Sequence, residues 1–228
     1  MDDLFADRAI RDRTLARADI RGLLGAPQIL AGCDLEGADL SGLDLSDWTF
    51  ERCALRKADL RGAELERTRW QSCRGAFADF SGSETGEAVF IACDFNNASF
   101  KRSTLDAAKF DRCKLTGADL TEIKGLGVRF EETLLIDAKL VGHSFRRATF
   151  KQVDFSQADL RKCDFRQAAF EACSLREANL DGARFDGADL RGADLGGVRL
   201  ADVGQFRGAT ISREQAGQLL SELGLDVR

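Results

Sequence analysis

Histidine is almost missing: His143 is the only one in 228 residues, and proline and methionine also occur once each. One histidine excludes a histidine-built metal centre. Its neighbour Ser144 falls in a different repeat position, so no nucleophile and base face each other. There are seven cysteines, yet CxxC spacing is absent and the count is odd. No glycine-rich phosphate cradle occurs either. The expectation is a protein that is not an enzyme and needs no cofactor or metal. No charged start leads into an apolar stretch suited to export, and no run could cross a bilayer, so the expected chain is soluble, cytoplasmic and without a membrane partner. An excess of basic residues is lacking too: 33 Lys and Arg face 38 Asp and Glu, a net charge of -5. That balance argues against direct, nonspecific nucleic-acid binding through a basic surface.

What is present is a repeat of five. From Leu35 to Leu200 every fifth residue is Leu, Phe or Trp, broken only by Gly75, Thr85 and Gly125. Two residues before each centre sits a second set, almost all Ala, Cys, Ser, Thr or Val, with Leu43, Trp48, Ile123 and His143 as exceptions. Neither a helix nor a lone strand satisfies a fixed period of five. If each unit makes one side of a square, twenty residues close a coil, and like residues should stack at that spacing. They do in sequence: Ala38, Ala58, Ala78 and Ala98 share one side, Phe50, Trp70, Phe90 and Phe110 a second, Cys33, Cys53, Cys73, Cys93 and Cys113 a third. The cysteine phase places the thiols inside as small apolar fillers.

Units such as Ala38-Asp39-Leu40-Ser41-Gly42 and Ala188-Asp189-Leu190-Arg191-Gly192 resemble the pentapeptide-repeat family. The resemblance implies an all-β, right-handed quadrilateral β-helix. The large and small positions point inward and the other three outward. Coils about 4.8 Å apart would give a rod roughly 40 Å long. The expected organisation is one elongated domain. Residues 1–30 form an irregular cap and partial first coil, 31–200 the β-helix, and 201–228 a terminal helix and tail.

Three stretches break the pattern. Residues 21–30 hold Pro27 and read as a turn. Residues 81–87 and 121–127, with Thr85 and Gly125 at the centres, read as locally distorted sides; neither reads as a projecting loop, because the columns keep phase across both. At the start, Ala18-Asp19-Ile20 fits the motif, and a short irregular or helical cap is expected before Leu15. At the other end Ser212 and Gln215 form a capping-box pattern before Ala216, Leu219, Leu220 and Leu223 at helical spacing. The predicted helix stops at Gly224, and Leu225 and Val227 then alternate like a strand. Such a helix can cap the rod, pair with its twin in a homodimer, or both.

Outward charges sort by side. Asp44, Asp47, Glu64, Glu66, Glu84, Glu87 and Asp106 follow one another on successive coils, opposed only by Arg67; farther along, the same side turns basic at Lys124, Arg146 and Arg147. This reads either as a solvated face or as an acidic stripe suited to a basic groove. The ending from Gln215 to Val227 resembles that of the quinolone-resistance pentapeptide proteins, the Qnr and MfpA group, and Gly125-Leu126-Gly127-Val128 resembles a mid-rod irregularity in Qnr-type proteins. The resemblance implies a homodimer that mimics DNA, binds DNA gyrase or topoisomerase IV and protects it from, or modulates, inhibitors. The acidic stripe would then make the contact. Projecting protective loops, which several Qnr members carry, are not expected. The alternative is an interaction scaffold or effector accessory with no topoisomerase role, docking through Val89, Ile91 and alternating charges.

Overall fold

Phe50 lies flat on Trp70, ring centroids 3.9 Å apart, across parallel strands whose partners are twenty residues apart. The same step recurs along the chain. The computed structural model describes residues 9–198, 203–222 and 224–226. Short strands β1 (Ile10–Arg11), β2 (Ile29–Ala31), β3 (Thr49–Glu51), β4 (Arg69–Gln71), β5 (Val89–Ile91), β6 (Lys109–Asp111), β7 (Arg129–Glu131), β8 (Thr149–Lys151) and β9 (Ala169–Glu171) form one parallel nine-stranded sheet in chain order. A second parallel pair, β10 (Cys173–Ser174) and β11 (Ala193–Asp194), follows. Single bridges such as Asp39 to Asp59 and Asp34 to Ala54 continue the ladder on the other sides. The fold is a parallel β-solenoid of pentapeptide type, with a short C-terminal helix.

Five residues suffice for a side because each unit carries its own corner. The residue two places after nearly every centre has positive φ, as at Asp47 (64°) and Gln157 (60°), and glycines such as Gly42 and Gly62 take the same position; Gly192 is the exception. Left-handed backbone there is what a tight type II turn demands, and glycine meets it without strain. Three corners of most laps are closed by an amide from the small residue to the preceding centre, as in Ala58 N–H to Leu55 (2.9 Å) and Ala63 N–H to Leu60 (3.1 Å), the corners at Ile123 and Val128 being without it. The fourth corner carries the cysteine column. There the thiols donate to carbonyls instead: Cys73 Sγ to Phe50 at 3.2 Å, Cys113 Sγ to Phe90 at 3.4 Å. Thr133 does the same with its hydroxyl, 3.2 Å from the Phe110 carbonyl. The cysteines therefore act as small hydrogen-bonding fillers, not purely apolar ones. All seven are free and buried, and burial pushes the Cys163 thiol up to about 12.

The core is the double column of centres and small residues. Each fully buried Leu or Phe contributes about 1.5–3 kcal/mol, and only neighbouring coils share it. Residues 81–87 depart from expectation. Their corners are regular, and Ser83 and Thr85 are fully buried because their hydroxyls satisfy each other at 2.8 Å.

The ends also differ from the sequence reading. The partial first coil is paired from Ile10, with Leu30, while the cap expected before Leu15 falls largely on residues 1–8, which lie outside the described residues. Helix comes later: Ala18-Asp19-Ile20 sits inside α1 (Arg17–Arg21), where the Asp19 carboxylate accepts the Ala16 N–H at 2.9 Å. Ile20 is still buried. At the far end the repeat does not stop at residue 200. The pairing steps once by twenty-one, Asp189 with Thr210, and Phe206 stacks on Phe185 at 4.9 Å. A 3₁₀ turn, Val203–Phe206, absorbs the extra residue. Helix α2 (Arg213–Glu222) then covers the open end.

One side of the ladder is open. From residues 41–50 up to 121–130 each coil pair is joined there by bonds such as Leu105 N–H to Lys124 and Ala107 N–H to Leu126. Between residues 122–128 and 141–149 the equivalents from Gly125, Gly127, Ser144 and Thr149 are not formed, and β7 and β8 keep a single register pair, Glu131 with Lys151. Overfilling from both facing coils, beside a missing centre at Gly125, sets this pair apart from the closed pair above Leu43 and Trp48. Ile123, Val128 and His143 occupy slots that elsewhere hold mostly smaller residues, all three are buried, and oversized inward groups push layers apart. Gly125, at φ 97°, supplies no centre of its own; a Cβ there would meet Asp106. Leu126 swings outward to 73% exposure, its N–H held by Asp106 Oδ1 at 2.6 Å.

His143 sits at this opening with its ring 4.6 Å from Phe145. Burial pushes its pKa below the ordinary value, against a backbone hydrogen bond to Ile123. A depressed folded-state pKa means that the unfolded chain takes the proton first, so stability is complete above pH ~6.5 and falls as pH drops below that value. Because no other histidine exists, urea unfolding between pH 7.5 and 5.5 should show a loss of stability that is absent in His143→Leu. An equal loss in that variant would contradict the assignment.

Candidate protein-docking surface

The corner geometry decides which outward side chains form rows. Asp44, Glu64 and Glu84 are bridged one above the next by the backbone, followed by Thr104 and Lys124, so their Cα atoms lie about one strand spacing, ~4.8 Å, apart. All three acidic residues are exposed. Like charges on facing strands repel, and the backbone ladder holds them together regardless.

The seven acidic residues of the predicted stripe are not equivalent. Arg67 grips Asp47 with two bonds of 2.8 Å and reaches Glu66 at 3.1 Å. The guanidinium holds the Asp47 carboxyl below its usual range. Asp106 is spent on the Leu126 amide. Asp44 accepts only the Ser46 N–H, at 3.0 Å. Asp44, Glu64, Glu84 and Glu87 make no ion pair among the described residues. They form the uncompensated part of the stripe.

A second acidic column is mostly self-neutralised, Asp119 alone of its aspartates making no ion pair among the described residues. The motif residues Asp39, Asp59 and Asp159 each accept the amide two places on, at 3.0, 3.0 and 3.3 Å, bracing the turn. Each also pairs with an arginine: Arg17, Arg61 and Arg161 respectively. These aspartates were visible in the motif, but their turn-bracing role depends on corner geometry that a period of five does not specify.

Farther along, Lys124, Arg146 and Arg147 are exposed as the sequence places them, joined by Arg129. Arg147 Nε donates to Gln167 at 2.8 Å. Val89 and Ile91 are only half-buried flanks of β5 and not a free apolar patch. The exposed aromatic is Phe77, 53% accessible on a left-handed corner at φ 61°, a residue the sequence reading passed over. Among the described residues no group of three or more His, Cys, Asp and Glu side chains is placed to hold a metal, and no helix is long and apolar enough to cross a membrane.

The C-terminal residues divide by face. Ser212 and Gln215 form the reciprocal cap, Ser212 N–H to Oε1 at 2.6 Å and Gln215 N–H to Oγ at 3.2 Å. Gln215 does more than the sequence suggests: its Nε2 donates to the Leu190 and Ala193 carbonyls, both at 2.6 Å, tying α2 onto the last coil. Leu219 is buried against the rod end, on a small apolar cavity with Leu190, Leu195 and Phe206. It therefore caps the last coil. Ala216 is half-buried, while Leu220 and Leu225 are 40% and 55% exposed. Leu225 is not in a strand; its N–H closes the helix end on the Leu220 carbonyl at 3.0 Å. Leu223 and Val227 lie outside the described residues.

Known proteins agree with this construction. The family model for pentapeptide repeats matches eight copies, over residues 28–56, 86–121, 129–167 and 163–202. Of the two internal stretches left unmatched, 57–85 and 122–128, the second is the lower lip of the opened side. No curated protein sequence matches the chain. Among solved structures, full-length QnrB1, a plasmid-mediated fluoroquinolone resistance protein, is similar at 18% identity with a TM-score of 0.59, covering 95% of this chain and 97% of that one. A trypsin-treated QnrB1 variant is similar at 20% identity with a TM-score of 0.52, covering 96% of this chain and 98% of that one. At such identities the likeness is one of fold, and the family indicates no catalytic activity. With family matches spanning more than half of its length and coils that close every twenty residues, the chain belongs to the pentapeptide-repeat family.

Proposed function

We propose that this protein is a DNA mimic that docks on a type II topoisomerase, DNA gyrase or topoisomerase IV, and modulates its response to inhibitors. The observation carrying this reading is the exposed column of Asp44, Glu64 and Glu84, with Glu87 beside it, in which no carboxylate is compensated by an ion pair among the described residues. A saddle of Lys and Arg that normally holds phosphates attracts such a row. The similarity of fold to a fluoroquinolone resistance protein supports the choice of partner. The row has one carboxylate per ~4.8 Å, against one phosphate per ~3.4 Å along a DNA strand. Its binding should weaken with salt less steeply than that of duplex DNA. Two copies joined at their capped ends through Leu220 and Leu225, with Ala216 beside them, would present two such rods about one axis.

In a supercoiling assay the purified protein should inhibit gyrase at about micromolar concentration or below. Glu64→Lys combined with Glu84→Lys should raise the concentration needed by about tenfold or more. Asp47→Asn combined with Glu66→Gln should change it little, since Arg67 already offsets that charge. No effect on supercoiling or on poison-induced cleavage at high excess would remove the topoisomerase reading.

Size-exclusion chromatography tests the homodimer. Leu220→Asp with Leu225→Asp should elute as monomer with an unchanged melting temperature. Leu219→Asp should instead lower that temperature, because it buries a charge against the rod end. An unchanged elution volume for the Leu220 and Leu225 double variant would contradict the interface.

A further inference from the structure

The opened side described above is more than a gap in packing. Its lower lip carries the N–H groups of Gly125 and Gly127, and its upper lip those of Ser144 and Thr149, all without the ladder partners that their equivalents have in neighbouring coils. Facing them are carbonyls in the same position, those of Val128, Ser144 and Arg146. These are the groups with which one parallel strand receives another. The space between the lips is a cleft of about 450 Å³ running from Gly127 to Phe130 below and from Ser144 to Phe150 above.

The rim is cationic. Arg129 and Arg146 are exposed and make no ion pair among the described residues, and Arg147 is held only by the neutral Gln167. The nearby acids are already engaged, Glu122 by Arg102 at 2.9 Å and Glu131 by Lys109 at 3.5 Å. In a chain of net charge -5, this is a local excess of positive charge at an open strand edge.

The inner end is defined by His143. It lines a smaller adjoining cavity of about 150 Å³ with Glu122, Ile123 and Gly125. The residue is 8% exposed and its Nε2 is buried without a hydrogen-bond partner. With the other ring nitrogen protonated toward the Ile123 carbonyl, which lacks the Ser144 amide, the neutral ring that burial favours leaves Nε2 free. In that tautomer Nε2 is an acceptor. A buried acceptor beside an open ladder suits an incoming N–H.

We propose that the cleft receives one extended acidic peptide strand from a partner protein, added edge to edge between the two coils. Backbone pairing along both lips supplies the affinity, carboxylates on the strand meet Arg129, Arg146 and Arg147, and His143 Nε2 accepts an amide at the inner end. About four residues, ~13 Å of strand, span the opening. Strand addition of this kind combines main-chain hydrogen bonds with side-chain selection.

The test uses the full-length protein and a fluorescent, N-acetylated hexapeptide of alternating Glu and Val. Anisotropy should report saturable binding. The same sequence N-methylated at alternate residues, and a Lys-Val version, should each bind about tenfold more weakly or worse. Arg129→Ser with Arg146→Ser should weaken the acidic peptide similarly while leaving the melting temperature unchanged. By amide hydrogen exchange, Gly127 and Thr149 should exchange fast in the free protein, unlike Ala107 and Arg129, and slow down when the peptide is present. Equal binding of the N-methylated peptide, displacement by inorganic phosphate at similar concentration, absence of saturable binding, or slow exchange of Gly127 and Thr149 in the free chain would each overturn the proposal.

Discussion

Everything in this molecule depends on a parallel hydrogen-bond ladder that must repeat with every lap of twenty residues. The ladder brings Phe50, Trp70, Phe90 and Phe110 into one stack, and it holds Asp44, Glu64 and Glu84 in a row they would not choose electrostatically. Interior and surface are thus governed by one constraint. A side chain's role is set by its place within five residues and its neighbours by its place within twenty. Stability in such an array is the sum of local coil terms and contacts between adjacent coils.

That constraint also explains where the rod changes character. Small inward slots allow coils to approach to strand spacing. Where Ile123, Val128 and His143 fill those slots, one side cannot close, although the Lys114 to Leu134 and Asp119 to Lys139 bridges below, and the Lys139 to Asp159 bridge above, keep the other sides joined. The opening falls where the acidic row has given way to Lys124, Arg146 and Arg147. Two docking modes therefore share one rod: a negative row offered to a basic saddle, and a positive slot offered to an acidic strand. At the C-terminus Gln215 and Leu219 close the last edge, leaving Leu220 and Leu225 outside.

The solenoid was legible because its signal is redundant: dozens of units agree on phase, and residues twenty apart match in kind. The acidic row was legible for the same reason. What stayed hidden depends on geometry inside a single unit. The thiol donation of Cys73 to Phe50 requires knowing that the fourth corner lacks its usual turn bond. The pairing of Arg67 with Asp47 and Glu66 requires knowing which corner side chains converge. The mutual satisfaction of Ser83 and Thr85 made residues 81–87 look distorted in sequence when their backbone is regular. Ala18-Asp19-Ile20 fits the motif but forms a helical turn, since a unit at the end of the array has a neighbouring coil on only one side to hold it extended. The opened ladder at 122–128 was half-visible through Gly125, and its width came from three bulky residues on two different coils.

Deletion of one lap tests the account most directly. Removing residues 89–108 should leave a cooperatively unfolding β-protein, because each remaining residue regains a partner of the same kind one coil away. Removing only residues 89–93, a quarter of a lap, should destroy cooperative unfolding by mismatching every column beyond the cut. Circular dichroism through thermal denaturation reads both. Loss of the folded state in the twenty-residue deletion, or its retention in the five-residue deletion, would contradict the claim that a lap of twenty residues builds this protein.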